Sequence, residues 1–350
     1  MVEKHMQDHR NQRGNWTVWR WLIVCLLVVY VVVFMPTPYV IYTPGSAEPV
    51  KPMVQVGQDD VTESGTFMLT TVRRTYANIA LLGIHSFDDN AQIAKKEDAL
   101  RGRSEAEYNT ELVFSMTGSQ SNAILAAYNY AKIPYNIEQK GLYVIANLPD
   151  IAKNTLKTND RIVEVEGHTV NQVKELQAII KEHRVGDTLN VVVERDGKKE
   201  QASATLISFT SSLDKTKKQI GFGIQFGEKT EVVPTKKEHV ITFKDNNIGG
   251  PSAGLMFTLE LINRLTPGDL SRGLRIAGTG EITPDGEVGI IGGIQHKVVA
   301  ADREGAELFL APEGNYKEAK AKVDKMKTNM KVVSVRTLQD ALDAIETFQK

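Results

Sequence analysis

The chain has 350 residues, room for two domains and more at ~100–200 residues each, and its 42 basic and 43 acidic side chains leave a net charge of -1. That balance gives no basic excess to neutralise phosphates, so nucleic acid is not an expected partner. One cysteine, Cys25, excludes an intrachain disulfide, the seven histidines form no His-Glu-x-x-His pair, and no G-x-x-x-x-G-K-[ST] run is present, so neither a metal, another cofactor nor ATP is expected.

The first feature along the chain is apolar. No charged residue occurs from Trp21 to Ala47. Trp16, Trp19 and Trp21 cluster at one end of the run and Tyr39 and Tyr42 at the other, as aromatic rings do at the two faces of a bilayer. A span beginning near Trp16 reaches the ~20 residues that a membrane helix needs. Residues 21–41 are read as a transmembrane signal-anchor helix, with Val40 and Ile41 extending it past Pro36 and Pro38. Lys4, Arg10, Arg13 and Arg20 precede it, so 1–20 are expected in the cytoplasm and the rest of the chain outside it. A cleaved signal peptide is the other reading. Gly45-Ser46-Ala47 offers a small-residue cleavage pattern, although the apolar run exceeds the usual ~7–15 residue signal core.

Residues 50–135 read as mixed structure. Thr66–Val72 is strand-like, being β-branched and apolar. Residues 87–111 are polar and read as an exposed excursion. Residues 118–132 carry Ala123, Ile124, Ala126, Ala127 and Tyr130 at helical spacing and stop before Pro134. Residues 137–208 form a unit of their own. They hold a strand at Leu142–Ile145, a turn and strand at 159–165, an amphipathic helix at 173–182, and a strand at 188–195 before an Asp196-Gly197 hairpin turn. This order resembles a PDZ domain of the bacterial, protease-associated type. Gly141, Leu142, Tyr143 and Val144 match its carboxylate-binding loop, and Asn159 replaces the usual Gly, a substitution that left-handed geometry tolerates. The resemblance implies capture of a peptide as an added strand. A structural module without a ligand is the alternative.

Residues 215–350 alternate strands and helices, which makes the class α/β or α+β. Ile220–Phe226 and Glu238–Phe243 read as strands, and Asp245-Asn246-Asn247 breaks the second. In Gly249-Gly250-Pro251-Ser252-Ala253-Gly254, Pro opens a helix and Gly allows unusual backbone angles before it. Ser252 there is either an N-cap or a nucleophile at a positive helix end, with backbone N–H groups at Gly250 and Ser252 facing an oxyanion. Lys297 lies among Ile294, Val298 and Ala301 on a helix from about 293 to 304. It is either a snorkelling lysine or a desolvated base. His296, one residue away, is expected on the surface.

Gly-Pro-Ser252-Ala-Gly, then Thr279-Gly-Glu-Ile, then Gly-Gly-Ile-x-x-Lys297 resembles, in order, the peptidase domain of Lon-family serine proteases. The resemblance implies that Ser252 is the nucleophile, Lys297 the base and Thr279 a residue that holds the lysine. Gly249 stands where cytoplasmic Lon proteases commonly have an acidic residue. The complete chain is similar to the membrane-anchored, ATP-independent Lon-like proteases of Gram-positive bacteria. It further implies that the PDZ unit is inserted in the peptidase domain, so that 50–135 fold with 215–350. The expected substrates are flexible secreted peptides or small membrane-anchored regulators, and an oligomer is compatible with all of this. The alternative from another class is an inactive, membrane-tethered peptide-binding scaffold.

Overall fold

A computed structural model describes residues 2–57, 64–148, 152–210, 218–244 and 248–349, and side chains within these except those of 2–15 and 17. The break expected at Asp245-Asn246-Asn247 lies outside the described residues. Two compact units divide the chain, 1–43 with 73–101, and 44–72 with 102–350.

The first unit opens with helix α1 (Val2–Phe34), followed by the first part of strand β1 (Pro36–Pro49). Among the residues whose side chains are described, no helix is long and apolar enough to cross a membrane. The apolar side chains from Val18 to Phe34 are nonetheless exposed, apart from half-buried Val32. The helix stops at Phe34, so residues 36–41 of the expected span are strand. Pro36 and Pro38 explain this, since proline removes a helix hydrogen bond and clashes with the preceding turn. Val40 and Ile41 are fully buried, and Tyr39–Tyr42 pair antiparallel with Gln92–Lys95. Residues 73–78 of strand β2 (Thr66–Asn78) lead here into a short helix at Ile79–His85, whose N-terminus Asn78 caps through Leu81 N–H.

The second unit contains helix α2 (Glu105–Ala131), longer than the expected 118–132. Its start is fixed by a capping box. Ser104 Oγ accepts from Glu107 N–H while the Glu107 carboxylate accepts from Ser104 N–H. The stretch expected as an exposed excursion therefore includes a strand, a short helix and the opening turns of α2. Strand β3 (Tyr135–Asn147) begins just past Pro134. Then come β4 (Arg161–Val165), helix α3 (Val173–Ile180), β5 (Thr188–Arg195), β6 (Lys198–Thr205) and β7 (Ile224–Pro234). The sheet order is β7-β3-β4-β5-β6, so this module continues past 208 and takes β7 from the region assigned to the peptidase. Asn159 sits at φ 73°, the left-handed geometry its position needs. The next residue, buried Asp160, is held bidentately by Arg195 at 2.7 Å on both oxygens.

Four parallel strands carry the other half of this unit. β10 (Lys331–Val335), β9 (Leu308–Pro312), β8 (Arg275–Gly278) and residues 66–72 of β2 lie side by side, with Ile276 opposite both Phe67 and Leu308. Strand periodicity divides their side chains between two cores. Phe67, Leu69, Ile276, Leu308 and Leu310 face helix α4 (Gly254–Leu265) and α2, whereas Met68, Ala277, Phe309 and Ala311 face helix α5 (Ile294–Arg303) and the helix at Glu313–Met326. Helices on both faces explain why consecutive residues such as Phe67–Leu69 and Leu308–Ala311 are apolar and buried. Residues 44–57, 64–72 and 102–135 thus share this unit with 218–244 and 248–349, but 73–101 belong to the other one. Glu238 and His239 fall in a 3-10 turn (Lys237–His239), and the strand is confined to Ile241–Phe243.

Phe222 is buried in the core formed by β3–β6 and α3, just ahead of β7. Phe222→Ala should lower stability by about 3–5 kcal/mol, with amide exchange at Leu142–Val144 rising first.

Candidate active site

Ser252 lies in the 3-10 turn Pro251–Ala253 that opens α4, preceded by Gly250 at φ 92°. That angle is left-handed, which only glycine adopts without strain. Lys297 is on the first turns of α5, which starts after Gly293 at φ 69°. Thr279 follows the carboxyl end of β8, the end of a parallel strand at which α/β sheets place their clefts. The fold brings these three residues together. Lys297 Nζ is 2.7 Å from Ser252 Oγ, 3.0 Å from Thr279 Oγ1 and 2.8 Å from Thr70 O.

The hydrogen-bond roles follow from the chemistry of each atom. Thr70 O is a carbonyl and only accepts. Thr279 Oγ1 donates its proton to Ser252 O at 2.9 Å, so towards Lys297 it accepts. Ser252 O also receives Gly280 N–H at 2.8 Å. A neutral amine has two N–H groups and one lone pair. With the N–H groups directed at Thr70 O and Thr279 Oγ1, the lone pair is left for the Ser252 hydroxyl. Burial favours that neutral form. Lys297 is 4% exposed, and desolvation lowers its pKa from 10.5 to about 7. The snorkelling alternative is excluded, because the ammonium end does not reach solvent.

His296 was expected on the surface and is 3% exposed. Helix α5 is covered around most of its circumference, since Val299 and Ala300 are buried as well as Ile294, Val298 and Ala301. Gly250 and Ser252 differ as oxyanion donors. Gly250 N–H donates to Leu112 O on α2 at 2.9 Å and is therefore committed, while Ser252 N–H donates to no acceptor among the described residues. Ser119, also on α2, donates its hydroxyl to Pro251 O at 2.8 Å. Thr70, Leu112 and Ser119 were missed in the sequence. Two of them act through a backbone carbonyl, which carries no side-chain signature.

Gly141, Leu142, Tyr143 and Val144 lie within strand β3 rather than in an open loop. Leu142 and Tyr143 pair with Ile162 and Arg161 of β4 on one edge, and with Glu228 and Gly227 of β7 on the other. Leu142 and Val144 are buried, and Tyr143 packs on Phe114 of α2 with ring centroids 5.3 Å apart. Among the described residues, no cluster of three or more His, Cys, Asp or Glu is placed to hold a metal ion.

Residues 213–347 match the family described as the Lon protease (S16) C-terminal proteolytic domain, and residues 114–206 match the PDZ domain family. The chain carries a Lon-type proteolytic domain and a PDZ domain. A Lon protease of Fusobacterium nucleatum is 37% identical over 91 residues, which cover 26% of this chain and 12% of that protein. A Lon protease of Syntrophus aciditrophicus is 34% identical over 145 residues, covering 41% of this chain and 17% of that protein. The chain thus spans less than a fifth of the length of these curated relatives. The solved PDZ domain of an SdrC-like protein from Listeria innocua is 28% identical, covers 25% of this chain and 93% of its own, and has a TM-score of 0.21. Strand β7 falls in the sequence match of the proteolytic domain and in the sheet of the PDZ domain.

With ¹³C-labelled lysine, the Lys297 Cε resonance should titrate with a midpoint of about 7; a midpoint at the ordinary 10.5 would contradict the buried neutral amine. Between those values the unfolded chain binds a proton that the folded one does not, so stability should rise with pH across that window.

Proposed function

We propose that this protein is an ATP-independent serine endopeptidase in which Ser252 is the nucleophile and Lys297 the general base. The observation that carries this reading is the 2.7 Å approach of Lys297 Nζ to Ser252 Oγ, with the remaining amine contacts oriented by Thr70 O and Thr279 Oγ1. Lys297 takes the Ser252 hydroxyl proton as Oγ bonds to a peptide carbonyl carbon. The resulting ammonium returns that proton to the leaving amine as the C–N bond breaks. Water then attacks the acyl ester, losing its proton to Lys297, and the Ser252 Oγ–acyl bond breaks with reprotonation of Oγ. Ser252 N–H is the first oxyanion donor. Thr279 is a positioning residue, since it fixes the amine and the Ser252 carbonyl together.

The setting is also proposed. Trp16 and the exposed apolar residues Val18–Phe34 of α1 support a single-pass anchor, because residues 16–34 of one helix extend ~28 Å at 1.5 Å per residue. With Lys4, Arg10 and Arg13 on its N-terminal side and Arg20 near its N-terminal end, the peptidase would act outside the cytoplasm. The 350 residues contain no phosphate-binding loop to couple ATP to unfolding. Flexible secreted peptides or short membrane-anchored regulators are therefore the substrates proposed, with a PDZ domain as the protein-binding module. The chain should remain in membranes after carbonate extraction, and its C-terminal region should be accessible to protease added to intact cells.

Cleavage of unfolded casein by the full chain tests the chemistry. Ser252→Ala and Lys297→Ala should each reduce kcat/KM by more than about 10,000-fold, because such residues act as a unit. Thr279→Val should lower kcat by about 100-fold with little change in KM, as expected when proton transfer is misaligned. Rates should rise with pH through about 7, where Lys297 loses its proton. Undiminished cleavage by Ser252→Ala would overturn the assignment of Ser252 as nucleophile, and absence of cleavage by the unaltered chain would favour the inactive scaffold.

A further inference from the structure

A PDZ groove binds a peptide by adding it to a free strand edge. In this protein that edge is occupied by the chain itself. Strand β7 runs antiparallel along β3 from Ile224 opposite Asn147 to Pro234 opposite Tyr135, on the side away from β4. Phe222 is buried in the module core, and Ile224 and Phe226 pack against it at two-residue spacing, as side chains of an added strand would. The Glu228 carboxylate accepts Val173 N–H at 2.7 Å, at the start of α3.

The occupied groove is joined to the loop before Ser252 by one helix. Gly227 of β7 leaves room for Phe114 of α2. A Cβ at Gly227 would come within 2.8 Å of Phe114 Cδ1 and of Ile145 Cδ1. Two residues before Phe114, Leu112 O accepts Gly250 N–H, and a Cβ at Gly249 would lie 2.9 Å from Leu112 Cβ. Further along α2, Ser119 holds Pro251 O. Pro251 has no N–H, so Gly250 is the nearest donor on the N-terminal side of Ser252, and α2 withholds it.

We propose that residues 224–228 of β7 are an in-chain occupant of the PDZ groove that restrains the peptidase site. An extended peptide with apolar residues at alternate positions displaces them from β3. Phe114 then loses its support on Gly227, α2 shifts, and Leu112 releases Gly250 N–H as a second oxyanion donor. This regulation rests on the peptidase reading of Ser252 and Lys297.

The test uses the full chain carrying Cys25→Ser, Ala146→Cys and Gln225→Cys, a cross-strand pair that a disulfide would lock. Amide exchange at 249–254 and casein cleavage are read in the oxidised and reduced forms. Oxidation should slow Gly250 exchange and reduce cleavage by about 100-fold, the effect of one oxyanion donor, and reductant should reverse both. Gly227→Val, which drives a side chain into Phe114, should speed both in the Cys25→Ser background. Gly250 exchange that is the same in oxidised and reduced forms overturns the proposal, as does equal cleavage by the two forms of an active enzyme. If exchange differs while neither form cleaves casein, the coupling stands and the peptidase reading falls.

Discussion

One buried amine organises this protein's chemistry. Lys297 is carried on α5 into a core of Ile294, Val298 and Ala301, where an ammonium ion is poorly tolerated. The low polarity makes the lysine a base near neutral pH. Thr70 O and Thr279 Oγ1 then determine where its lone pair points. Thr70 and Thr279 sit on and just beyond neighbouring parallel strands, and Ser252 opens the helix packed on their other face. The sheet, the two helices and the glycine turns before them are the scaffold that this contact requires.

Helix α2 is the second organising element. Its Ser104 cap fixes where it begins, and its length lets it touch both the PDZ sheet and the Ser252 loop. Phe114 meets Tyr143 and Gly227, and Leu112 and Ser119 meet Gly250 and Pro251. A helix transmits displacement along its length as a stiff body, because its backbone hydrogen bonds resist local bending. The two sequence matches, to 114–206 and 213–347, therefore describe parts that the tertiary structure joins through α2 and β7.

Much of the fold could be read in the residues. A strand-like run at 142–145 and apolar alternation at 188–195 marked two of the strands, and apolar spacing marked α3 and the face of α5 that carries Lys297. The misses have local causes. The Ser104–Glu107 capping box was present in the sequence but lay in a polar stretch, and polarity outweighed it. Pro36 should have ended the expected membrane segment at Phe34, because a strand tolerates Pro36 and Pro38 where a helix does not. His296 was placed on the surface by its helical offset from Lys297, an inference that fails when a helix is buried on nearly every side.

The sequence by itself determined which side chains are capable of chemistry: a serine beside Gly and Pro at a helix start and a lysine in an apolar helix face, with Thr279 added by the family resemblance. It also determined the left-handed turn at Asn159 and the uncharged N-terminal run, since these depend on neighbours along the chain. Only the tertiary structure decided the lysine's proton, because that depends on burial by residues distant in the chain, and the direction of its lone pair, which depends on a carbonyl 227 positions away. It alone decided that Gly250 N–H is taken by Leu112 and that β7 fills the edge of Gly141–Val144. Backbone groups are alike at every position, so no residue pattern announces which of them will meet.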